Sequence, residues 1–513
     1  MNAESGADMK VTSCGMILAM FLLPLPAAAK QPHVHDDASL RVSRVLLISI
    51  DGLHAVNVAN YIQSNPDSTL AQLNAIGVTY TNASTSRPSD SIPGFLAQIT
   101  GGTPRTTGVW YEVSYRRDLS PPHSDCKTVG TVVYVDDEID TDPSNLDGGG
   151  ISVNLLPRDP EHGCKPVYPH ELLRVNTIFE VAHAHGLRTA WADKHLAYEF
   201  ANGPSGRGVD DLYTPEIAAI NPHDGNDWAA TLKDVETYDD FKVQALIHEV
   251  DGLDHTGNKE AGVPAIFGMN FQSIHIGQKH AVDPASGKGG YVDANGTPGP
   301  FLSEALNFVD AELGKLISEL KQKRLLDSTV IIVSAKHGDS PMDVTKRRII
   351  DMTLPAQIIG DSLAYDQSDD GSVIWLKDPG QTASVLALLN SPENQQRLGV
   401  QEIFAGSLLK QTFGDPATDP RVPDIILKTE TGVMFHKVTN TKLSENGGIN
   451  EDDLHVALLV ANPKLARREF HGPVQTTQIA PTILEFLGLR PSELLAVQIE
   501  ETPTLPGLHL RAK

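Results

Sequence analysis

Arg44-Val45-Leu46-Leu47-Ile48-Ser49-Ile50-Asp51-Gly52 is the stretch on which the fold turns. Its apolar residues are consecutive rather than alternating, so neither face is marked for solvent. Such a strand belongs in a parallel sheet covered by helices on both sides. The same reading applies to residues 188–192 (RTAWA), which end at Asp193, to 242–250 (KVQALIHEV), which end at Asp251, and to 328–334 (STVIIVS), which end near His337. A late strand is expected at 455–460. Helical patterns fall at 68–76, at 176–185 before Gly186, and at 475–487. The alternation predicts an α/β fold with a mostly parallel central sheet. In open sheets of this type ligands bind outside the carboxyl ends of the strands, where Asp51, Asp251 and His337 are expected to meet. Asp-Gly is also an ordinary turn signal, so the three ends together carry the reading rather than any one of them.

Pro88-Ser89-Asp90-Ser91-Ile92-Pro93-Gly94 leads into an apolar helix start at 95–99, and Thr100-Gly101-Gly102 stops it. Pro93 suits a first helical turn. A serine just ahead of that turn faces free backbone N–H groups, which favour an anionic phosphoryl group. Ser89 and Ser91 are both candidates, with a plain N-cap as the competing role.

The chain has 41 basic and 65 acidic side chains, a formal charge of -24, which gives no reason to expect a nucleic-acid groove or an anionic membrane as partner. A phosphate ester would need positive charge concentrated at the site itself. Lys10, the apolar run 11–25 and Ala27-Ala28-Ala29 read as an export signal cleaved before Lys30, placing the protein in a periplasm or outside the cell. Pro24 and Pro26 end that run short of the ~20 residues of a membrane span, and none is expected after signal removal. Of the mature chain, Cys126 and Cys164 are expected to pair, at ~3 to 4 kcal/mol of stabilisation. The expected organisation is a leader at 1–29, a linker at 30–43, a catalytic domain at 44–490 and a tail at 491–513. Insertions are expected at about 111–169, 203–238 and 353–438. The third carries a strand at 372–377, a helix at 382–389 and a strand at 424–428, and reads as a small inserted cap subdomain.

Ser91-Ile92-Pro93-Gly94, with Thr100-Gly101-Gly102 in register, resembles the nucleophile motif of the type I phosphodiesterase/nucleotide pyrophosphatase family, a Thr-Phe-Pro-Asn type sequence followed by a Thr-Gly turn. The resemblance runs from about 44 to 489, through Asp193-Lys194-His195, Val263-Pro264-Ala265-Ile266-Phe267-Gly268 and Gln478-Ile479-Ala480-Pro481-Thr482. It implies an alkaline-phosphatase-like α/β/α sandwich. It also implies two divalent metals, usually zinc, held by an Asp at the first strand end, the nucleophile, an Asp-Xaa-Xaa-Xaa-His pair, an Asp-His pair and a late His. By position Asp51 matches the first ligand and Ser91 the nucleophile. Asp251 and His255 match the spaced pair, with Asp254 as an alternative to Asp251, and His337 matches the His of the Asp-His pair. Gly94 stands where the family has a phosphate-contacting Asn, and His195 is expected either to line the site or to be a hydrogen-bonded structural histidine.

Two positions depart from the family pattern: Lys336 replaces a metal-binding Asp, and Asn446 replaces the late His. An ammonium ~4 Å from a dication is opposed by about 8 kcal/mol at an effective dielectric of ~20. Lys336 must therefore point away, lose its proton, or replace a metal as the local positive charge. The resemblance implies hydrolysis of a small-molecule phosphate ester or nucleotide, at a phosphodiester or pyrophosphate bond, through a phosphoseryl intermediate on Ser91 with one or two divalent ions, zinc first. The same fold also serves phosphomonoesterases, phosphonate hydrolases and sulfatases, and the two departures leave room for a catalytically weak phosphate-binding homologue.

Overall fold

The computed structural model describes residues 42–509, and the expected export leader lies outside them. The first strand, β1, spans Arg44–Ile50 as expected. The main sheet also contains β2 (Gly77–Tyr80), β3 (Thr189–Ala192), β4 (Asp211–Tyr213), β5 (Ile266–Phe271), β6 (Thr329–Ser334), β7 (Leu458–Ala461) and β8 (Arg468–Phe470). Their spatial order is β8-β2-β7-β6-β1-β5-β3-β4, with β1 central and parallel to both β5 and β6. Only β7 runs against its neighbours, so the sheet is mostly parallel.

Strand β1 shows why the sequence gives three layers. Val45 and Leu47 enter one hydrophobic cluster, whereas Leu46, Ile48 and Ile50 enter the other. Successive strand residues point to opposite faces, so an unbroken apolar run has to be covered twice. One cover includes α3 (Ser91–Thr100), α4 (Ile178–Ala184) and α8 (Ile479–Phe486). The other includes α1 (Ala55–Ser64), α2 (Thr69–Ala75), α5 (Leu232–Val250), α6 (Ser273–Lys279) and α7 (Pro300–Gln322).

Residues 242–250 are a correction: they form the second half of helix α5, not a strand. The buried positions Val235, Tyr238, Asp239, Lys242, Val243, Leu246 and Val250 follow the helical period. Lys242 hid that stripe in the sequence, because it occupies a core position. Its ammonium donates to the Asn270 carbonyl at 2.6 Å and pairs with Asp239 at 3.0 Å, which satisfies the buried charge.

Segment 353–438 contains a four-stranded antiparallel sheet of Leu363–Ser368, Gly371–Leu376, Ile425–Thr429 and Val400–Ala405, in that order, with a helix at Thr382–Leu389. Trp110 and Tyr111 pack with its Val373 and Trp375, and Tyr111 donates to Asp369 at 2.8 Å, which ties it to the segment after α3. Segment 203–238 supplies the edge strand β4 and the start of α5. Cys126 and Cys164 form a disulfide, with Cα atoms 5.8 Å apart.

Candidate active site

The carboxyl ends of the parallel strands bring together Asp51 after β1, Asp193 after β3, Asn270 and Gln272 at the end of β5, and Lys336-His337 after β6. Helix α3 lays Ser91 over this group. Asp90 caps the helix by accepting from the Ile92 N–H at 3.2 Å, and Gly101 ends it in the left-handed conformation at φ 77°. Gly94 sets the approach: a Cβ there would lie 2.0 Å from the Lys336 carbonyl oxygen. Gln98 adds a hydrogen bond to the Ala335 carbonyl at 2.8 Å, and Thr85 donates to that of Lys336. Glycine at 94 thus serves helix-to-strand packing against the backbone that carries His337.

Ser91 is 2 % exposed, and its Oγ lies 3.0 Å from Lys194 Nζ and 3.3 Å from His337 Nε2. Asp51 accepts from Asn270 at 2.8 Å on Oδ1 and from Gln272 at 2.6 Å on Oδ2. Its Oδ2 also faces Lys194 at 3.3 Å and His337 at 3.5 Å. Burial opposes a charge on Asp51, but Lys336, Lys194 and His337 outweigh it and hold the carboxyl well below the usual range. Burial likewise opposes a charge on Lys194, and Asp51, Glu112 and Asp193 outweigh it and raise the ammonium.

Lys336 does not face the nucleophile. Its ammonium pairs with Asp193 at 2.7 Å and sits 4.0 Å from the centre of the Tyr198 ring. Burial depresses this lysine. Lys336 commits its ammonium to Asp193, and its charge still acts on Asp51. His195 pairs with Glu216 at 2.9 Å and stacks on Tyr198, beside the site rather than against Ser91. Asn446 lies in a loop that reaches the nucleophile segment, since Gly447 donates to the Ser89 carbonyl at 2.8 Å and Ser89 to that of Gly448 at 2.9 Å.

Asp251 and His255 are placed elsewhere. Asp251 ends α5 and pairs with Lys323 at 2.8 Å, while His255 pairs with Asp211, the first residue of β4. Arg188, just ahead of β3, joins Asp211 to Glu249. This cluster, with Asp254 alongside, sits at the amino ends of the strands, and the helical course of 242–250 is the reason. His255→Ala is expected to leave kcat and KM unchanged within about twofold while costing at most about 1 kcal/mol, as for a partly exposed pair. Steady-state kinetics and a urea melt would check this, and a large loss of turnover would count against the placement.

The residues that do follow β5 had a signal that went unread: an apolar run ending in Asn270-Phe271-Gln272, the same pattern that selected Asp51. Lys194 sits inside Asp193-Lys194-His195, where nothing in the local sequence marks it as the residue that reaches Ser91. His275 and Asp339 also converge here, paired at 2.9 Å, and with His337 they form a buried group whose ligand atoms lie within 4.8 Å of one another. Burial, with the cations Lys279 and Lys194 nearby, pushes His275 well below its ordinary value, and burial pushes Asp339 up to about 6.

The donor chemistry separates the two metal positions of the family. Beside Ser91, the Lys194 ammonium lies between the hydroxyl and Asp51, so an ion between Asp51 and Ser91 does not fit. His275, His337 and Asp339 supply imidazole and carboxylate, and this set fits one ion of the zinc type.

The fold is of the alkaline-phosphatase-like α/β class, as its likeness to solved structures shows. The chain belongs to the type I phosphodiesterase / nucleotide pyrophosphatase family, whose sequence profile matches residues 45–453. It is 24% identical over 198 residues to the bis(5'-adenosyl)-triphosphatase ENPP4 of Bos taurus, a match that spans 37% of this chain and 40% of that protein. Murine ectonucleotide pyrophosphatase / phosphodiesterase 5 superposes with a TM-score of 0.54 at 15% identity, covering 87% of this chain and 96% of its own. Alkaline phosphatase PafA superposes with a TM-score of 0.56 at 12% identity, covering 88% and 96%. Among the described residues no helix is long and apolar enough to cross a membrane.

Proposed function

We propose that the chain is an exported hydrolase of phosphodiester or nucleotide pyrophosphate bonds that works through a phosphoseryl intermediate on Ser91. The observation that carries this reading is the buried Ser91 hydroxyl in contact with both Lys194 Nζ and His337 Nε2 at the carboxyl ends of the sheet. His337 Nδ1 faces the Gly338 carbonyl at 3.1 Å, which leaves Nε2 with a lone pair toward Ser91. Ser91 Oγ attacks phosphorus in line, and the bond to the leaving oxygen breaks with its electron pair. The serine proton passes to His337 Nε2, and the resulting N–H faces Asp51. His337 hands that proton to the departing oxygen, takes one from water as the water attacks the phosphoseryl group, and returns it to Oγ as Oγ leaves.

His275 and Asp339 would hold one divalent ion, zinc by their ligand types, while His337, with Nδ1 on the Gly338 carbonyl and Nε2 toward Ser91, is left for the serine proton; when bound the ion would supply positive charge for a phosphoryl oxygen. A nucleotide substrate is supported by family membership, by the triphosphatase name of ENPP4, and by an inactive form of murine ENPP5 solved in complex with AMP. The test is a panel of nitrophenyl thymidine monophosphate, bis-nitrophenyl phosphate, nitrophenyl phosphate and nitrophenyl sulfate, with acid-quenched peptide mass spectrometry. Diesters should turn over fastest and a phosphoryl group should be caught on the peptide bearing Ser91. Preference for the sulfate, or an adduct on another residue, would reject the reading.

A further inference from the structure

Phosphoryl transfer needs positive charge at two places, the attacking or leaving serine oxygen and the phosphoryl oxygens. At the serine oxygen the family places a metal, and here the space between Ser91 and Asp51 holds an ammonium. Lys194 is 7 % exposed, and its Nζ bridges Ser91 Oγ at 3.0 Å and Asp51 Oδ2 at 3.3 Å. Its backbone is fixed as well, because its N–H donates to Asp193 Oδ1 at 2.9 Å. Asp193 is neutralised by Lys336 at 2.7 Å and accepts the Trp191 indole N–H at 3.0 Å. The two lysines thus divide the work: one compensates the buried Asp193, which frees the other to face the nucleophile. Asn270 and Gln272 complete the shell of Asp51 with amide donors and fix the oxygen that faces Lys194.

We propose that Lys194 is a catalytic residue whose ammonium, held between Ser91 Oγ and Asp51, takes the place of the metal ion at the nucleophile. The inference rests on Ser91 as nucleophile. During attack the Oγ–P bond forms, the leaving oxygen departs with the bonding pair, and the serine proton goes to His337. Lys194 keeps its three protons throughout. Its charge stabilises the oxyanion character of Oγ on attack and again when Oγ leaves in the hydrolysis of the phosphoseryl group. The surrounding carboxylates keep it protonated across the neutral range.

The test joins a metal count to kinetics. After equilibration with zinc and gel filtration, elemental analysis should find at most one ion per chain, and Asp51→Asn should not change the count. Two ions per chain, or loss of one on Asp51→Asn, would overturn the proposal, and this arm needs no turnover. With bis-nitrophenyl phosphate, Lys194→Met should lose about 10²–10³-fold in kcat with KM moved by no more than about twofold. Lys194→Arg should recover part of the loss, and added ethylamine should partly rescue Lys194→Ala, which a packing defect would not allow. Full turnover in Lys194→Met while Ser91→Ala is inert overturns this inference alone. An active Ser91→Ala overturns the nucleophile assignment with it.

Discussion

Ser91→Ala lowers kcat/KM on nitrophenyl thymidine monophosphate by about 10³-fold or more and leaves the melting temperature of the protein close to its starting value. The size follows from losing the attacking atom, for which no neighbour substitutes. Ser89, the other serine of the segment, has a different task. Its Oγ donates to the Asp453 carbonyl at 2.6 Å, and its backbone pairs with Gly447 and Gly448. Ser89→Ala therefore acts through the loop that carries Asn446 and keeps the acid-stable adduct on Ser91. Turnover within a few-fold of the starting protein in Ser91→Ala would reject the nucleophile and shift attention to Ser89.

The second large effect concerns stability. The Lys336 and Asp193 side chains are both 0% exposed and meet at 2.7 Å. Removing one partner of such a pair typically costs ~3 to 5 kcal/mol, because the other charge stays buried and alone. Lys336→Asp is worse, since it sets a second carboxylate against Asp193, and it is expected to exceed that range or prevent folding. Restoring the family's ligand type at this position therefore does not restore a metal site; it breaks the pair that supports Lys194. Lys336→Met should fall in the ~3 to 5 kcal/mol range by urea denaturation, and adding Asp193→Asn should recover much of the loss, since the double change removes both charges. A Lys336→Asp protein that melts where the starting protein does and gains a zinc ion would refute the account of this pair.

Much of the site was legible one strand at a time. The unbroken apolar runs of β1, β3 and β6 announced their burial on both faces, and the polar residues closing them, Asp51, Asp193 and Lys336-His337, fall where the sheet topology puts a ligand. The helix start was marked by Pro93 and its end by Gly101, while the cap proved to be Asp90 and not a serine. The reading failed at 242–250, where Val243, Leu246 and Val250 suit either structure and the buried Lys242 breaks the apolar stripe of the helix. From that one exchange of strand for helix, Asp251 and His255 moved to the opposite end of the sheet.

The layered α/β fold and the family could be read from local runs and short motifs, because their physics is contained within a few residues. Which lysine lies against Ser91 depends on the packing of distant segments. Lys194 and Lys336 have the same chemistry, and each lies next to a strand end. What separates them is that Asp193 accepts the side chain of one and the backbone of the other, while Gly94 lets α3 settle against the Lys336 carbonyl and so bring Ser91 within reach of Lys194. Apart from the Asp193–Lys194 backbone bond, those relations join residues about a hundred or more positions apart, and they exist once the sheet has aligned β1, β3 and β6 in space.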